Sequence, residues 1–395
     1  MPFLKLKKLL GSCKIILLSI FSWTIYYFSG FVPRNKALFV IGAAGDLFTD
    51  NSKYFFLHAE RELKIIWITN SDAIYKLLKS KGYPVEKKYS FKGLLCVIRA
   101  GFYIYSHYPS DINFPLSRGA IRINIWHGIP LKHIEYDYDL PDLSKGNKFI
   151  NLCMVFFGVY TILFNIDNSR LLSFDYILGD DSRYAKQGLT SGFRLQGNQL
   201  LTFGLPRRDA GLSGIFTRRT NVDYEFLNKK FYLYIPTYVE ENSSSIDLNT
   251  IDNILGFNGK VLVYKPHPFE SPSVVDKEKA LISNLKNIYF LDSAIDVHEI
   301  LPFTSGVISD CSSILFDCED MKIPFLVYWP SFKEYVVKRG LYAFAKDFIC
   351  ERVVYDFESF IEFIKREDFD RCSSTRVSAS NRSSDDLINF MESIV

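Results

Sequence analysis

The chain has no CxxC pair. Its seven cysteines, Cys13, Cys96, Cys153, Cys311, Cys318, Cys350 and Cys372, are odd in number and widely scattered. That argues against a disulfide framework or a zinc site and fits a reducing compartment. There is no excess of one charge either: 47 Lys plus Arg face 44 Asp plus Glu over 395 residues. Without a concentrated basic stripe, nucleic acid is not an expected partner, and any polyanion must be met locally. Glycine-rich phosphate fingerprints are missing, because Gly42-Ala43-Ala44-Gly45-Asp46 is neither a Walker loop nor a dinucleotide motif. ATPase and dehydrogenase readings lose their support with it. Internal repeats, heptads and carboxylate clusters at metal-ligand spacing are also absent, so no resident cofactor is called for.

Aromatic residues, in contrast, make up 16% of the chain, with 35 Phe and 24 Tyr. Many lie near the amino terminus, where the run Ile15 to Val32 is about long enough to span a bilayer and follows Lys5, Lys7, Lys8 and Lys14. Three readings compete. No Ala-x-Ala-like site follows, which speaks against a cleaved signal peptide. A transmembrane helix with lysines inside would place the rest of the chain away from cytosolic nucleotides. An interfacial helix avoids that conflict, and Trp23, Tyr26 and Tyr27 suit a segment lying in the headgroup plane. Residues 1–33 are therefore read as a membrane-associating segment. A second apolar stretch, Phe149 to Phe164, reads either as a core helix or as a lipid contact.

After Pro33 the pattern becomes α/β. Leu38–Gly42, Lys64–Thr69, Gly101–Ser106, Ile121–Trp126, Tyr176–Leu178 and Leu200–Gly204 read as buried strands separated by loops or helical segments. Phe231–Ile235, Lys260–Tyr264, Ile288–Leu291, Gly306–Ser309 and Phe325–Tyr328 repeat the rhythm. The expected architecture is two doubly wound, Rossmann-like α/β domains, residues 34–210 and 225–372, facing one another across a cleft. Residues 373–395 read as a Ser-rich segment and a terminal helix.

Polar groups recur just past the strands, where open α/β sheets place ligands. In Trp126-His127-Gly128-Ile129-Pro130-Leu131-Lys132, His127 follows a strand while Gly128 and Pro130 shape the turn. An imidazole there can take a proton from a hydroxyl near neutral pH; the bland reading is a structural histidine. In Tyr264-Lys265-Pro266-His267-Pro268, two prolines stiffen the segment that carries His267, which suits a pre-positioned donor to a pyrophosphate. Along Ser309-Asp310-Cys311-Ser312-Ser313, Ser312 or Ser313 falls at a helix amino terminus, either as an anion site or as an ordinary cap. Asp317, one turn on, could hold ligand hydroxyls, Arg207 could clamp a phosphate, and Thr237 offers a hydroxyl and an N–H.

Taken in order, these segments resemble the CDP-glycerol glycerophosphotransferases, which build or prime teichoic acids and related capsule polymers. The resemblance rests on Asn51-Ser52-Lys53-Tyr54-Phe55, the Trp-His-Gly-x-Pro-Leu-Lys element at 126–132, Gly204-Leu205-Pro206-Arg207-Arg208-Asp209, Pro266-His267-Pro268, and Ser309 to Asp317. It implies a GT-B fold and a CDP-glycerol or CDP-ribitol donor that loses CMP. It also implies a lipid-linked acceptor and peripheral attachment to the cytoplasmic membrane face. By the same resemblance His127 and His267 are catalytic, with either able to serve as base. Gly128, Pro130, Arg207, Thr237, Lys265, Asp310, Ser312, Ser313 and Asp317 are the expected substrate contacts. A Mg²⁺ loosely held on the pyrophosphate is compatible with this reading. Two departures stand out: Cys311 occupies a position usually held by Tyr, and Pro236-Thr237-Tyr238-Val239 lacks the usual Arg. A nucleotide-sugar glycosyltransferase on the same fold is the alternative.

Overall fold

The computed structural model describes all residues except 1, 141–146, 165–167, 173, 213–223, 238–245, 269, 350–351 and 367–381. Cys350, Cys372, Tyr238 and Val239 fall outside the described residues, as do the proposed interdomain stretch beyond Leu212 and most of the Ser-rich segment.

Two wholly parallel sheets organise the chain. The first contains β1 (Asn35–Gly42), β2 (Ile65–Thr69), β3 (Val85–Lys87), β4 (Ala100–Tyr105), β5 (Ile121–Asn124), β6 (Tyr176–Leu178) and β7 (Leu200–Leu201), in the order β3-β2-β1-β4-β5-β6-β7. The second contains β8 (Phe231–Ile235), β9 (Val261–Tyr264), β10 (Ile288–Phe290), β11 (Gly306–Ser309), β12 (Phe325–Tyr328) and β13 (Val353–Val354), in the order β10-β9-β8-β11-β12-β13. Strand order reverses between β1 and β4 and again between β8 and β11, and ligands of open α/β sheets bind outside the carboxyl ends at such points.

Cover on both faces explains the unbroken apolar runs. On adjacent strands, Phe39, Ile41, Phe102 and Ile104 enter one core while Leu38, Val40, Tyr103 and Tyr105 enter another, as the period of two requires. The short edge strands β3 and β13 carry no such run and are not signalled by the sequence. The strand expected to reach Gly204 ends at Leu201, and the chain turns where Gly204 takes φ +102°.

The halves are not independently cored. Trp126, Ile129, Leu131 and Leu189 from the first share one buried cluster with Phe231, Val263, Leu315 and Phe348 from the second. The chain also returns: the closing helix Ser383–Ser393 buries Leu387, Ile388 and Met391 beside Phe55, Phe56 and Trp67 of the first half. Ser384 N–H donates to Asp209 at 3.1 Å and fixes where that helix begins.

The long first helix, Pro2–Ser29, lies against the first half on one side. Trp23 and Tyr26 pack on Phe114 at 4.9 and 5.3 Å, and Ser19 Oγ donates to the Phe156 carbonyl at 3.0 Å. Its other side is open, with Phe21 64% and Phe28 67% exposed. The Phe149–Phe164 stretch forms two short helices, Lys148–Phe156 and Val159–Phe164. They part at Gly158 (φ +68°), where a Cβ would sit 2.8 Å from Ser19 Cβ. Val155 and Tyr160 are buried, as a core helix requires, while Phe149, Ile150 and Leu163 are exposed.

Leu387→Ala or Met391→Ala is expected to cost about 2–5 kcal/mol of stability by opening a cavity between the closing helix and the first sheet. A urea unfolding midpoint unchanged by either substitution would show that the helix contributes nothing to that core.

Candidate active site

Past β5, the chain is forced into a tight, braced loop. Trp126 sits at φ 39°, a left-handed conformation that a bulky residue adopts only when held. Asn124 and Asn51 hold it. Asn124 Oδ1 accepts from Trp126 N–H at 2.9 Å, and Asn51 Nδ2 donates to the carbonyls of Ile125 and Trp126 at 3.1 and 2.7 Å. The His127 ring that follows stacks on His107 (centroids 4.0 Å apart, 11° between planes) and against Trp126 at 3.9 Å.

His127 Nδ1 lies 3.5 Å from the Ser106 carbonyl oxygen. A carbonyl only accepts, so Nδ1 carries the proton and Nε2 keeps its lone pair. Burial, and then the neighbouring His107, push the His127 pKa well below the ordinary imidazole value. The residue is therefore neutral at physiological pH and in the form a proton acceptor needs.

Gly128 adopts φ +137°, and a Cβ there would fall 2.7 Å from Ser313 Cβ and 3.0 Å from an Arg207 nitrogen. Its role is close approach between the halves, which no larger residue permits. Pro130 is buried and packs on Gly188, where an added Cβ would meet its ring at 2.8 Å. Beyond it, Leu131 to His133 pair with Gly340 to Tyr342 of the second half: Tyr342 N–H donates to Leu131 O at 3.1 Å, and Lys132 bridges Leu341. This clip carries Lys132 into the cleft.

Across the cleft, His267 follows β9. Its pKa is pushed down to about 4 by burial and then by the charges of Lys132 and Lys265. Lys265 is itself depressed to about 8 by burial and donates to Ser293 O at 2.8 Å. Two lysines and an imidazole thus share one region of positive potential, contributed by both halves. At the second switch point, Thr237 N–H and Oγ1 donate to Asp310 at 2.9 and 2.8 Å, tying β8 to β11. Ser313 precedes the helix Ile314–Asp320 without capping it, and its Oγ points to the His127 carbonyl at 3.5 Å. Ser312 Oγ accepts from Ile314 N–H at 3.4 Å.

Arg207 and Asp317 sit elsewhere than their expected roles require. Arg207 is 2% exposed and donates to Asp317 at 2.7 Å, Asp50 at 2.6 Å and the His127 carbonyl at 2.7 Å. Asp317, 1% exposed, also accepts from Arg208 at 3.0 Å and lies 3.3 Å from His298 Nε2. Burial alone would raise its pKa, yet Arg207, His298 and Arg208 hold the carboxyl well below the usual range. Their charges are spent on each other, so neither offers a free group to a phosphate or a ligand hydroxyl. Lys132, visible in the quoted motif but not singled out, is the cation whose charge reaches both His127 and His267. His107 and His298 carried no spacing signal at all, because only the fold brings them to their partners. Among the described residues no group of three or more His, Cys, Asp or Glu is arranged to hold a metal ion.

Two doubly wound domains with a neutral imidazole on one wall of the cleft and a lysine-flanked imidazole on the other define a GT-B-type group transferase. The family CDP-Glycerol:Poly(glycerophosphate) glycerophosphotransferase matches residues 24–384, and the chain belongs to it. It is 24% identical over 373 residues to the teichoic acid poly(glycerol phosphate) polymerase of Bacillus spizizenii, covering 86% of this chain and 85% of that one. To the teichoic acid glycerol-phosphate primase of Bacillus subtilis it is 24% identical over 422 residues, covering 99% and 100%. Among solved structures, the wall teichoic acid polymerase TagF soaked with CDPG superposes with a TM-score of 0.67 at 17% identity, covering 100% of this chain and 98% of that one. The chain is therefore an enzyme of glycerophosphate transfer with the GT-B-like fold.

His298 supplies a test of the buried cluster. Burial lowers its pKa, but hydrogen bonds to Asp296 and Asp317 outweigh this and raise it to about 9. A raised folded-state pKa gives stability that is complete below the unfolded value near 6.5 and lost as pH climbs through about 9. His298→Gln is expected to be less stable than wild type by on the order of 3 kcal/mol at pH 6. That gap should shrink toward pH 9.5 in denaturant titrations. A gap that stays constant with pH would show that the imidazolium does not stabilise the cluster.

Proposed function

We propose that this chain moves glycerol phosphate, or a related polyol phosphate, from CDP-glycerol to a membrane-linked teichoic-acid or capsule-like acceptor, releasing CMP. The observation that carries the reading is the pairing across the cleft of a neutral His127, its Nδ1 hydrogen directed at Ser106 O, with His267 and the two lysines that act on it, Lys132 and Lys265. The domain around residues 34–210 takes the acceptor side and that around 225–372 the donor side.

An acceptor hydroxyl oxygen attacks the glycerol-linked phosphorus as His127 Nε2 takes its proton. The new O–P bond forms as the pyrophosphate P–O bond breaks, and the electron pair leaves with CMP. Lys132 and Lys265 offset the charge that grows on the departing phosphate, and His267, brought near an anion, can donate to it. Thr237 and Asp310, joined to each other, and Ser312 and Ser313 then shape the donor pocket. Incubation with CDP-glycerol, CDP-ribitol and UDP- or GDP-sugars should release CMP from a CDP-polyol. Release of a nucleoside diphosphate from a nucleotide sugar would replace this reading with glycosyl transfer.

Replacing His127 with Ala should cut turnover by roughly 100- to 10,000-fold. Because the His127 pKa is held low, kcat/KM in the wild type should persist as pH falls below 6.5, where an ordinary imidazole base would be half protonated. Turnover largely retained by the Ala variant, or a wild-type acid limb centred near 6.5, would remove His127 as the base.

The open side of the first helix, with the exposed residues of 148–164, supports peripheral attachment at the cytoplasmic membrane face. Tyr89 and Phe91, 65% and 77% exposed, extend the same surface. Apolar area contributes about 25 cal/mol per Å² once buried in the interface. Glu at Phe21 and Phe28 together should release the protein from vesicles at least tenfold without lowering its thermal midpoint. Undiminished vesicle binding would move the anchor off this helix.

A further inference from the structure

Between the aromatic layer under the first helix and the His107–His127 stack lies a cavity of about 470 Å³. That is within the range of roughly 300–1,000 Å³ usual for small-molecule sites. Its walls belong to both neighbours. Tyr136, Leu140 and Leu172 line it and also pack in the cluster around Trp23 and Tyr26, whereas His107 lines it and stacks on His127 at 4.0 Å. The cavity therefore lies on the way from the membrane-facing layer to the reacting centre.

Three observations describe what it would hold. Tyr105, fully buried, lines the cavity, and its hydroxyl has no hydrogen-bond partner among the described residues. Buried hydroxyls are seldom left so, and an orphan invites a ligand group. Burial also raises the Tyr105 pKa, so it remains a protonated donor. Second, Glu135 is held at φ 49°, a left-handed backbone tolerated where a side chain must be aimed. Its carboxylate accepts from Tyr108 Oη at 2.7 Å and pairs with Arg170.

Third, the positive charges are already met by carboxylates. Arg170 is paired by Asp139 at 2.7 Å as well as by Glu135, and Arg194 by Asp137 at 2.6 Å. With two guanidinium groups met by three carboxylates, there is no positive excess to attract a phosphate. Aromatic walls with hydroxyl, amide and carboxylate groups at their edges suit a neutral ring bearing hydroxyls.

We propose that this cavity is an acceptor subsite that binds a neutral, hydroxyl-rich unit, a sugar residue, and brings it up to His127 from the membrane side. Only the word acceptor rests on the transfer reading above; the binding does not.

Saturation-transfer NMR on the full chain with methyl β-D-glucopyranoside tests it directly. Wild type should transfer saturation to the sugar ring protons, and inorganic phosphate should not compete. Tyr105→Phe should cut the transfer at least threefold with an unchanged thermal midpoint. Leu195→Trp, which fills the cavity rather than removing a donor, should do the same. Saturating CDP-glycerol should leave the signal in place, since the donor lies beyond the His107 ring. No transfer in wild type, equal transfer in both variants, or displacement by CDP-glycerol would overturn the proposal. CMP release is measured separately, so loss of the transfer reading and loss of this subsite give different results.

Discussion

The buried charge cluster around Asp317 is the constraint on which the remainder of the structure depends. Asp317 belongs to the second half, and Arg207 and Arg208, at the end of the first, both donate to it. Arg207 also reaches Asp50 and the carbonyl of His127. Removing one partner from such a group leaves an uncompensated buried charge, which typically costs about 3–5 kcal/mol. The cluster thus sets the relation of the two sheets and, through the His127 carbonyl, the position of the loop carrying the imidazole. Lys53 extends it by pairing with Asp296 at 3.0 Å, and Tyr54 adds a 2.7 Å hydrogen bond to the same carboxylate.

With the halves so fixed, each supplies what the other cannot. The first contributes a loop braced by Asn51 and Asn124 and an imidazole kept neutral by burial. The second contributes the lysine-flanked His267, and the 131–133 clip carries Lys132 over to it. After burial and His107, the charges of Arg207 and Lys132 also lower the His127 pKa. The two histidines follow strands of different sheets, His127 after β5 and His267 after β9.

The same arrangement relates the cleft to the outer layer. Phe114, on which Trp23 and Tyr26 pack, lies in the segment that runs on from His107, so the long first helix and the histidine stack are supported by one stretch of chain. The polar cavity between them has a wall in each.

Sequence alone determined the alternation of strands and helices, because strands covered on both faces must be apolar throughout and the intervening segments need not be. It also located the loops bearing His127, His267 and Thr237, since ligand groups of such sheets follow strand ends. What it left open was which polar residues face the cleft and which face one another. Arg207 and Asp317 look on paper like ligand groups, and only the approach of the two halves shows that they neutralise each other. His107, 20 residues before His127, has no local pattern to mark it and acquires meaning when β4 and β5 lie side by side. Gly128 was legible as a turn residue, yet its need for no side chain comes from Ser313 of the other half, 2.7 Å from where a Cβ would be. Periodicity and turn chemistry are local and can be read along the chain; charge pairing and close approach depend on distances that exist only once the sheets have packed.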